Sequence, residues 1–169
     1  MSSKSLYLLD TNILIEAYKR YYAFDIAPSF WRLIKEHAEA GQIISIDRVL
    51  NELTTFPDQD ALKTWAVSEF NRWFVSTDND EVISSYRDII NWAVSQTQYT
   101  DAAKAEFASI ADSWLIAAAK TYNCILVTHE LYDANIKRKI PIPNVCRNFN
   151  IPYMNTFEML RSLNATLGH

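Results

Sequence analysis

Short runs of consecutive apolar residues alternate along the chain with longer stretches whose apolar positions recur every three or four residues, the pattern of buried strands feeding amphipathic helices. The first run, residues 6–9, ends at Asp10-Thr11-Asn12, and residues 13–22 then carry helical spacing, so a strand delivers Asp10 to a helix start. Residues 28–40 read as a second helix, with Pro28 in its first turn and Gly41 as a left-handed stop. A second strand is expected over 43–46, then a helix capped by Asp47 and running to about Thr54. Pro57 marks a break, a helix follows over 62–70, and 73–76 is a third strand, edge or central. Residues 80–95 are helical by pattern. Residues 101–122 are rich in helix, with an alanine-heavy packed core from Trp114 to Ala119. A fourth strand is expected over 124–127, an irregular basic stretch over 131–150, a last strand over 152–155 and a last helix over 156–163.

Strands alternating with helices imply an α/β fold: a central parallel β-sheet with helices on both faces. Nothing in residues 1–169 marks a repeat, a low-complexity tract or a linker, so one domain is the economical count. With 169 residues, 49% of them hydrophobic, the chain is long enough to bury a sizeable core, and a disordered or fibrous class is excluded. Gly41 and Gly168 are its only glycines, which excludes a glycine-rich phosphate cradle of the dinucleotide or P-loop type. Cys124 and Cys146 are isolated, so neither a zinc site nor a disulfide framework is expected. The opening apolar run is too short for a signal peptide or a membrane span. No membrane association is therefore expected, and the cytoplasm is the expected compartment.

In a parallel sheet the carboxyl ends of all strands share one edge, where ligands bind. Asp10 closes the first strand and Glu130 follows the fourth. Glu52 lies in the helix after the second strand, and Asp112 early in the helix before the fourth. Like charges about 4 Å apart repel by about 1 kcal/mol in water and about 4 kcal/mol near a protein surface, so a cluster of these acids calls for a cation. Hard oxygen donors select Mg²⁺ or Mn²⁺. Each acid also suits a structural role. Asp10 could equally cap the first helix, Asp112 with Ser109 matches a capping box, and Glu52 and Glu130 could be solvated helix-face residues.

The order and surroundings of these acids resemble the PIN-domain family of metal-dependent ribonucleases, best known as toxins of bacterial toxin–antitoxin pairs. The resemblance spans almost the whole chain. Leu8-Leu9-Asp10-Thr11-Asn12 resembles the family's first acidic motif, and Val49-Leu50-Asn51-Glu52-Leu53 its second. Ala111-Asp112-Ser113-Trp114-Leu115-Ile116-Ala117 resembles the third, and Leu126-Val127-Thr128-His129-Glu130 the fourth. The family commonly has Thr-x-Asp at the last of these, where this chain has Thr-x-Glu. That form, with Ile142-Pro143-Asn144-Val145-Cys146 and Asn155-Thr156-Phe157-Glu158-Met159-Leu160, is similar to a separate PIN subgroup rather than to the best-studied toxins.

The resemblance implies a single PIN-like nuclease domain that hydrolyses phosphodiester bonds of single-stranded RNA with water activated at Mg²⁺ or Mn²⁺. Asp10 and Asp112 would hold the ion directly, and Glu52 or Glu130 would position that water or a second ion. It also implies an antitoxin protein as partner and a homodimer. Asn12 and Thr128 could orient a carboxylate or contact phosphate, or could serve only as helix-start and strand-end hydrogen bonders. His129 is expected to be a loop residue rather than a base. A net charge of −4 gives no bulk attraction for a polyanion, so a local basic patch is required. Lys137-Arg138-Lys139, next in the chain after Glu130, is the preferred patch for substrate contact, and residues 18–22 suit core or oligomer surface at least as well. The alternative function is a non-catalytic PIN-like module that binds RNA or a partner protein.

Overall fold

The computed structural model describes residues 4–55, 60–165 and 167, and the expected break at Pro57 lies outside these. Five parallel strands form one sheet: β1 (Tyr7–Leu9), β2 (Ile43–Ile46), β3 (Phe74–Val75), β4 (Ile125–Val127) and β5 (Tyr153–Met154), in the order β3-β2-β1-β4-β5. The central strands are apolar but for Ser45, whose hydroxyl donates to the Leu9 carbonyl at 2.7 Å, because helices cover both faces. Tyr7, Leu8 and Leu9 are all buried, as are Leu126 and Val127. Tyr7 stands opposite Ile43 on one side and Ile125 on the other. The chain builds outward from β1 in one direction and then returns to its other side. That reversal sets the carboxyl ends of β1 and β4 next to each other, at the point where open parallel sheets bind ligands.

The intervening helices are α1 (Thr11–Glu16), α2 (Pro28–Glu39), α3 (Asp47–Thr55), α4 (Asp60–Ser68), α5 (Asp80–Ser95), α6 (Asp101–Ser109), α7 (Ala111–Tyr122), α8 (Ile142–Phe149) and α9 (Thr156–Ser162). Their ends follow local chemistry. Asn79 accepts from the Val82 N–H, Thr100 from the Ala103 N–H, and Asn155 with Glu158 forms a capping box on α9. Asn123 and Asn150 take the left-handed conformation that stops α7 and α8. Gly41, at φ +78°, does the same after α2, and a Cβ there would meet nothing within 4 Å. Gly41→Ala is therefore expected to lower stability by about 1 kcal/mol through backbone strain alone, read from the midpoint of urea unfolding. Cys124 and Cys146 are buried free thiols, and burial pushes both up to about 12. Among the described residues no helix is long and apolar enough to cross a membrane.

Three expectations need correction. The stretch 131–150 is not irregular throughout, because Ile142–Phe149 forms α8. Pro141 and Pro143 look like breakers, but proline suits a helix start, and Ile142, Val145, Cys146 and Phe149 fall at the helical spacing of a buried face. The first helix does not run evenly to Tyr22. It passes after Glu16 into a π-helical turn, Ala17–Tyr21, closed by the Tyr22 N–H on the Ala17 carbonyl at 2.7 Å. The third strand is only the edge pair Phe74–Val75, preceded by a 3₁₀ turn, Asn71–Trp73.

Candidate functional site

Asp10 leaves β1 with its backbone still in register, its N–H donating to the Val127 carbonyl at 3.1 Å. It occupies the N-cap position of α1, yet its side chain makes no capping hydrogen bond. The residue is instead 1% exposed, with Oδ2 accepting from the Thr128 hydroxyl at 3.0 Å and Oδ1 buried without a partner. Burial, then the charge of Glu130, pushes Asp10 from 3.8 up to about 7, with Glu52 adding and the Thr128 bond and the nearby Asn12 N–H opposing, although that N–H does not reach hydrogen-bond geometry with Oδ1. Thr128 is fixed in turn: its N–H donates to the Met154 carbonyl at 2.9 Å and its Oγ1 accepts from the Glu130 N–H at 3.1 Å.

Asp112 lies in the first turn of α7. The expected capping box is absent, since Ser109 donates to the Glu106 carbonyl at 2.8 Å and Ile110 takes the N-cap position. Burial, then the charges of Asp10 and Glu130, raises Asp112 from 3.8 to about 8, with Lys139 opposing and Glu52 adding. No hydrogen bond to its carboxylate is formed among the described residues.

The two glutamates differ from the aspartates in being fully engaged by protein donors. Glu52 accepts the Thr11 hydroxyl on Oε2 at 2.7 Å and the Ala111 N–H on Oε1 at 3.0 Å, tying α1 and α3 to the first free N–H of α7. Glu130 accepts the Ile142 N–H at the start of α8 on Oε2 at 2.8 Å, and its Oε1 pairs with the Lys139 ammonium at 2.5 Å. Both carboxylates thus satisfy helix N-termini, where negative charge is favoured.

The donor chemistry fits a hard divalent cation. The buried, unpartnered Oδ1 of Asp10 and the elevated Asp112 are the two features that such an ion would satisfy. Among the described residues no group of three His, Cys, Asp or Glu side chains stands at metal-binding spacing; Glu52 is turned onto the start of α7 and Glu130 onto the start of α8. Mg²⁺ commonly takes one or two carboxylates and keeps several waters, so Asp10 with Asp112 suffices in number.

Of the residues expected to meet substrate, Thr128 is 2% exposed and its hydroxyl is spent on Asp10, which leaves it the carboxylate-orienting role. Asn12 is exposed in the first turn of α1. Lys137 and Arg138 are exposed, whereas Lys139 turns back to Glu130. His129 is half-buried, its Nε2 3.1 Å from the Thr156 hydroxyl, and burial, opposed by Glu16, lowers its pKa. Sequence reasoning missed Thr11 as a holder of Glu52. Its position between Asp10 and Asn12 was a signal, but its partner lies 41 residues away. It also missed the Ile142 N–H, which only matters once α8 exists.

A family model described as "Domain of unknown function (DUF4411)" matches residues 7–167. The chain belongs to this family. No curated protein matches it in sequence. Among solved structures it resembles FitAcB from Neisseria gonorrhoeae, with a TM-score of 0.57 and 13% identity over 90% of this chain and 99% of that one. It also resembles VapBC2 from Rickettsia felis, bound to a DNA fragment from its promoter, with a TM-score of 0.54 and 17% identity over 89% and 98%. At such identities the likeness establishes the fold alone, a parallel α/β sheet flanked by helices, and this DUF4411 chain shares it along nearly its whole length.

Proposed function

We propose that this DUF4411 chain is a metal-dependent endoribonuclease that hydrolyses phosphodiester bonds of single-stranded RNA, acting as the toxin of a toxin–antitoxin pair. In this reading residues 1–169 form one PIN-type domain of the Thr-His-Glu subgroup, working as a cytoplasmic homodimer restrained by an antitoxin. The observation that carries it is the buried, unpartnered Asp10 oxygen at the β1–β4 reversal, beside Asp112. The toxin role is supported by the likeness to FitAcB and VapBC2, the latter bound to DNA from its promoter. Cleavage of labelled single-stranded RNA with Mn²⁺, abolished by chelation, tests it.

Asp10 and Asp112 would hold Mg²⁺ or Mn²⁺, which when bound supplies a nucleophile from water and charge stabilisation at the phosphoryl group. Thr128 orients the Asp10 carboxylate, leaving Oδ1 free for the cation. Glu52 and Glu130 add negative field to the site while anchoring α7 and α8 around it. Lys139 offsets part of that field.

The exposed Lys137 and Arg138 suit phosphates, and a triple alanine variant of Lys137, Arg138 and Lys139 is expected to bind single-stranded RNA more weakly, with a salt slope smaller by about 0.7 for each phosphate no longer neutralised. Titrations at several salt concentrations read this directly. The engagement of Glu52 and Glu130 by protein donors favours a second reading, a non-catalytic RNA-binding or protein-interaction module. Such a module would shift the RNA on a gel without cutting it.

A further inference from the structure

Beside the acidic residues opens a cavity of about 430 Å³, lined by Asn12, Glu16, Arg20, Tyr21, His129 and Glu130. We propose that it is a subsite for a single nucleobase of a single-stranded RNA, stacked on the Tyr21 ring next to the phosphate at the cation that Asp10 and Asp112 would hold. This rests on the nuclease reading above and specifies what binds beside that site.

The π-helical turn Ala17–Tyr21 sets up the cavity wall. Two adjacent tyrosines, Tyr21 and Tyr22, end it on different sides, their ring centroids 6.4 Å apart. Tyr22 turns inward and stacks on the buried Phe30 with ring centroids 4.4 Å apart, while Tyr21 stays 52% exposed. The Tyr21 ring is braced rather than free: it meets the edge of Phe157 at 5.9 Å and 82°, and lies 6.5 Å from His129. His129 is itself tethered to Thr156, and Phe157 is 39% exposed. Aromatic rings from the π turn, the segment after β4 and the first turn of α9 therefore meet at one exposed point, a braced platform of the kind on which bases stack.

Charge selects the base over the phosphate as the occupant. Glu16 and Glu130 both line the cavity, and their cationic partners, Arg20 at 3.3 Å and Lys139 at 2.5 Å, are already paired, so no free positive charge awaits a phosphate there, whereas a neutral base needs none. The Asn12 amide supplies a donor and an acceptor for a base edge. Glu130 belongs both to this cavity and to the field around Asp10 and Asp112, so a base here lies beside the carboxylates rather than at a remote surface.

The test is a double-mutant cycle in EDTA, with a short single-stranded RNA carrying 2-aminopurine at alternate positions and the same RNA made abasic there. Wild type and Tyr21→Trp should quench the 2-aminopurine, and Tyr21→Ala should not. Tyr21→Ala should also weaken binding of the base-bearing RNA about tenfold, yet change binding of the abasic RNA little. Tyr21 is exposed, so both variants should match the wild-type circular dichroism, and the tryptophan variant guards against a folding artefact. Equal losses on both RNAs, or no loss on either, would overturn the subsite. Cleavage assayed separately with Mn²⁺ distinguishes the two readings. Cutting without ring–base coupling removes only the subsite, and coupling without cutting removes only the nuclease. Absence of RNA binding in EDTA together with absence of cutting in Mn²⁺ overturns both.

Discussion

Replacing Asp10 or Asp112 with asparagine is expected to lower RNA cleavage at least about a hundredfold while leaving the protein folded. An amide is a poor ligand for a hard divalent ion, and groups that merely hydrogen-bond a metal ligand already cost about 10- to 100-fold when removed. The fold should survive because little of it depends on these charges. Thr128 donates to Asp10 Oδ2, and an amide oxygen can accept that bond as well. Asp112 accepts no hydrogen bond among the described residues, and its helix takes its N-terminal contact from Glu52 instead. Single-turnover cleavage by purified variants, alongside circular dichroism, checks both halves. Wild-type turnover in either variant, with contaminating nuclease excluded, would sink the assignment.

The second large effect is on stability. Burial and mutual repulsion raise Asp10 to about 7 and Asp112 to about 8 in the folded protein, against 3.8 when each is solvated. Between these limits the folded state binds more protons than the unfolded one, so stability must fall as pH rises. The contribution is fully present below about pH 4 and lost progressively until about pH 8, a change on the order of a few kcal/mol for the pair. A bound cation reverses the loss. At about 100 times its dissociation constant it adds about 2.7 kcal/mol, which for a domain of this size raises Tm by about 5 to 10 °C. Thermal scans across about pH 4–8, with EDTA and then with Mn²⁺, should show a metal-free Tm that declines toward the upper end and a rise with Mn²⁺ that is largest there. Asp10→Asn removes one titrating group, so it should flatten the decline, raise the metal-free Tm at about pH 8 and lessen the rise with Mn²⁺. A metal-free Tm that climbs or stays level over this window would show that burial and repulsion do not raise Asp10 and Asp112 in the folded protein.

What the chain carries locally, it displays openly. The runs at Tyr7–Leu9, Ile43–Ile46 and Ile125–Val127 are almost wholly apolar, on both faces, and that alone marks them as central parallel strands. The stop at Gly41 and the starts of α5 and α9 rest on chemistry within a turn of the residue concerned, so they too are written in the order of amino acids. Where a residue type has two local meanings, the order of amino acids misleads. The stretch 131–150 reads as irregular although Pro141 and Pro143 open α8 within it, and Ser109 with Asp112 reads as a capping box although neither caps.

The division of labour among the acids was invisible at that level. By position in the sequence Asp10 and Glu130 stand at strand ends and Glu52 and Asp112 in helices, and nothing local says which of them keeps a free oxygen. Folding separates them: Glu52 and Glu130 spend oxygens on the N–H groups of Ala111 and Ile142, while Asp10 keeps a buried oxygen with nothing to bind. Those partners lie 59 and 12 residues away, and both are backbone groups, no different from those of other residues until a helix happens to begin there. The sequence by itself determined which segments become strands and helices and that acids would stand at strand ends, because apolar periodicity and turn chemistry act over a few residues. Only the tertiary structure decided which carboxylates are satisfied, how Lys139 and Tyr21 face the site, and where charge is left over, because those follow from burial and from contacts that exist only after the sheet has closed around β1.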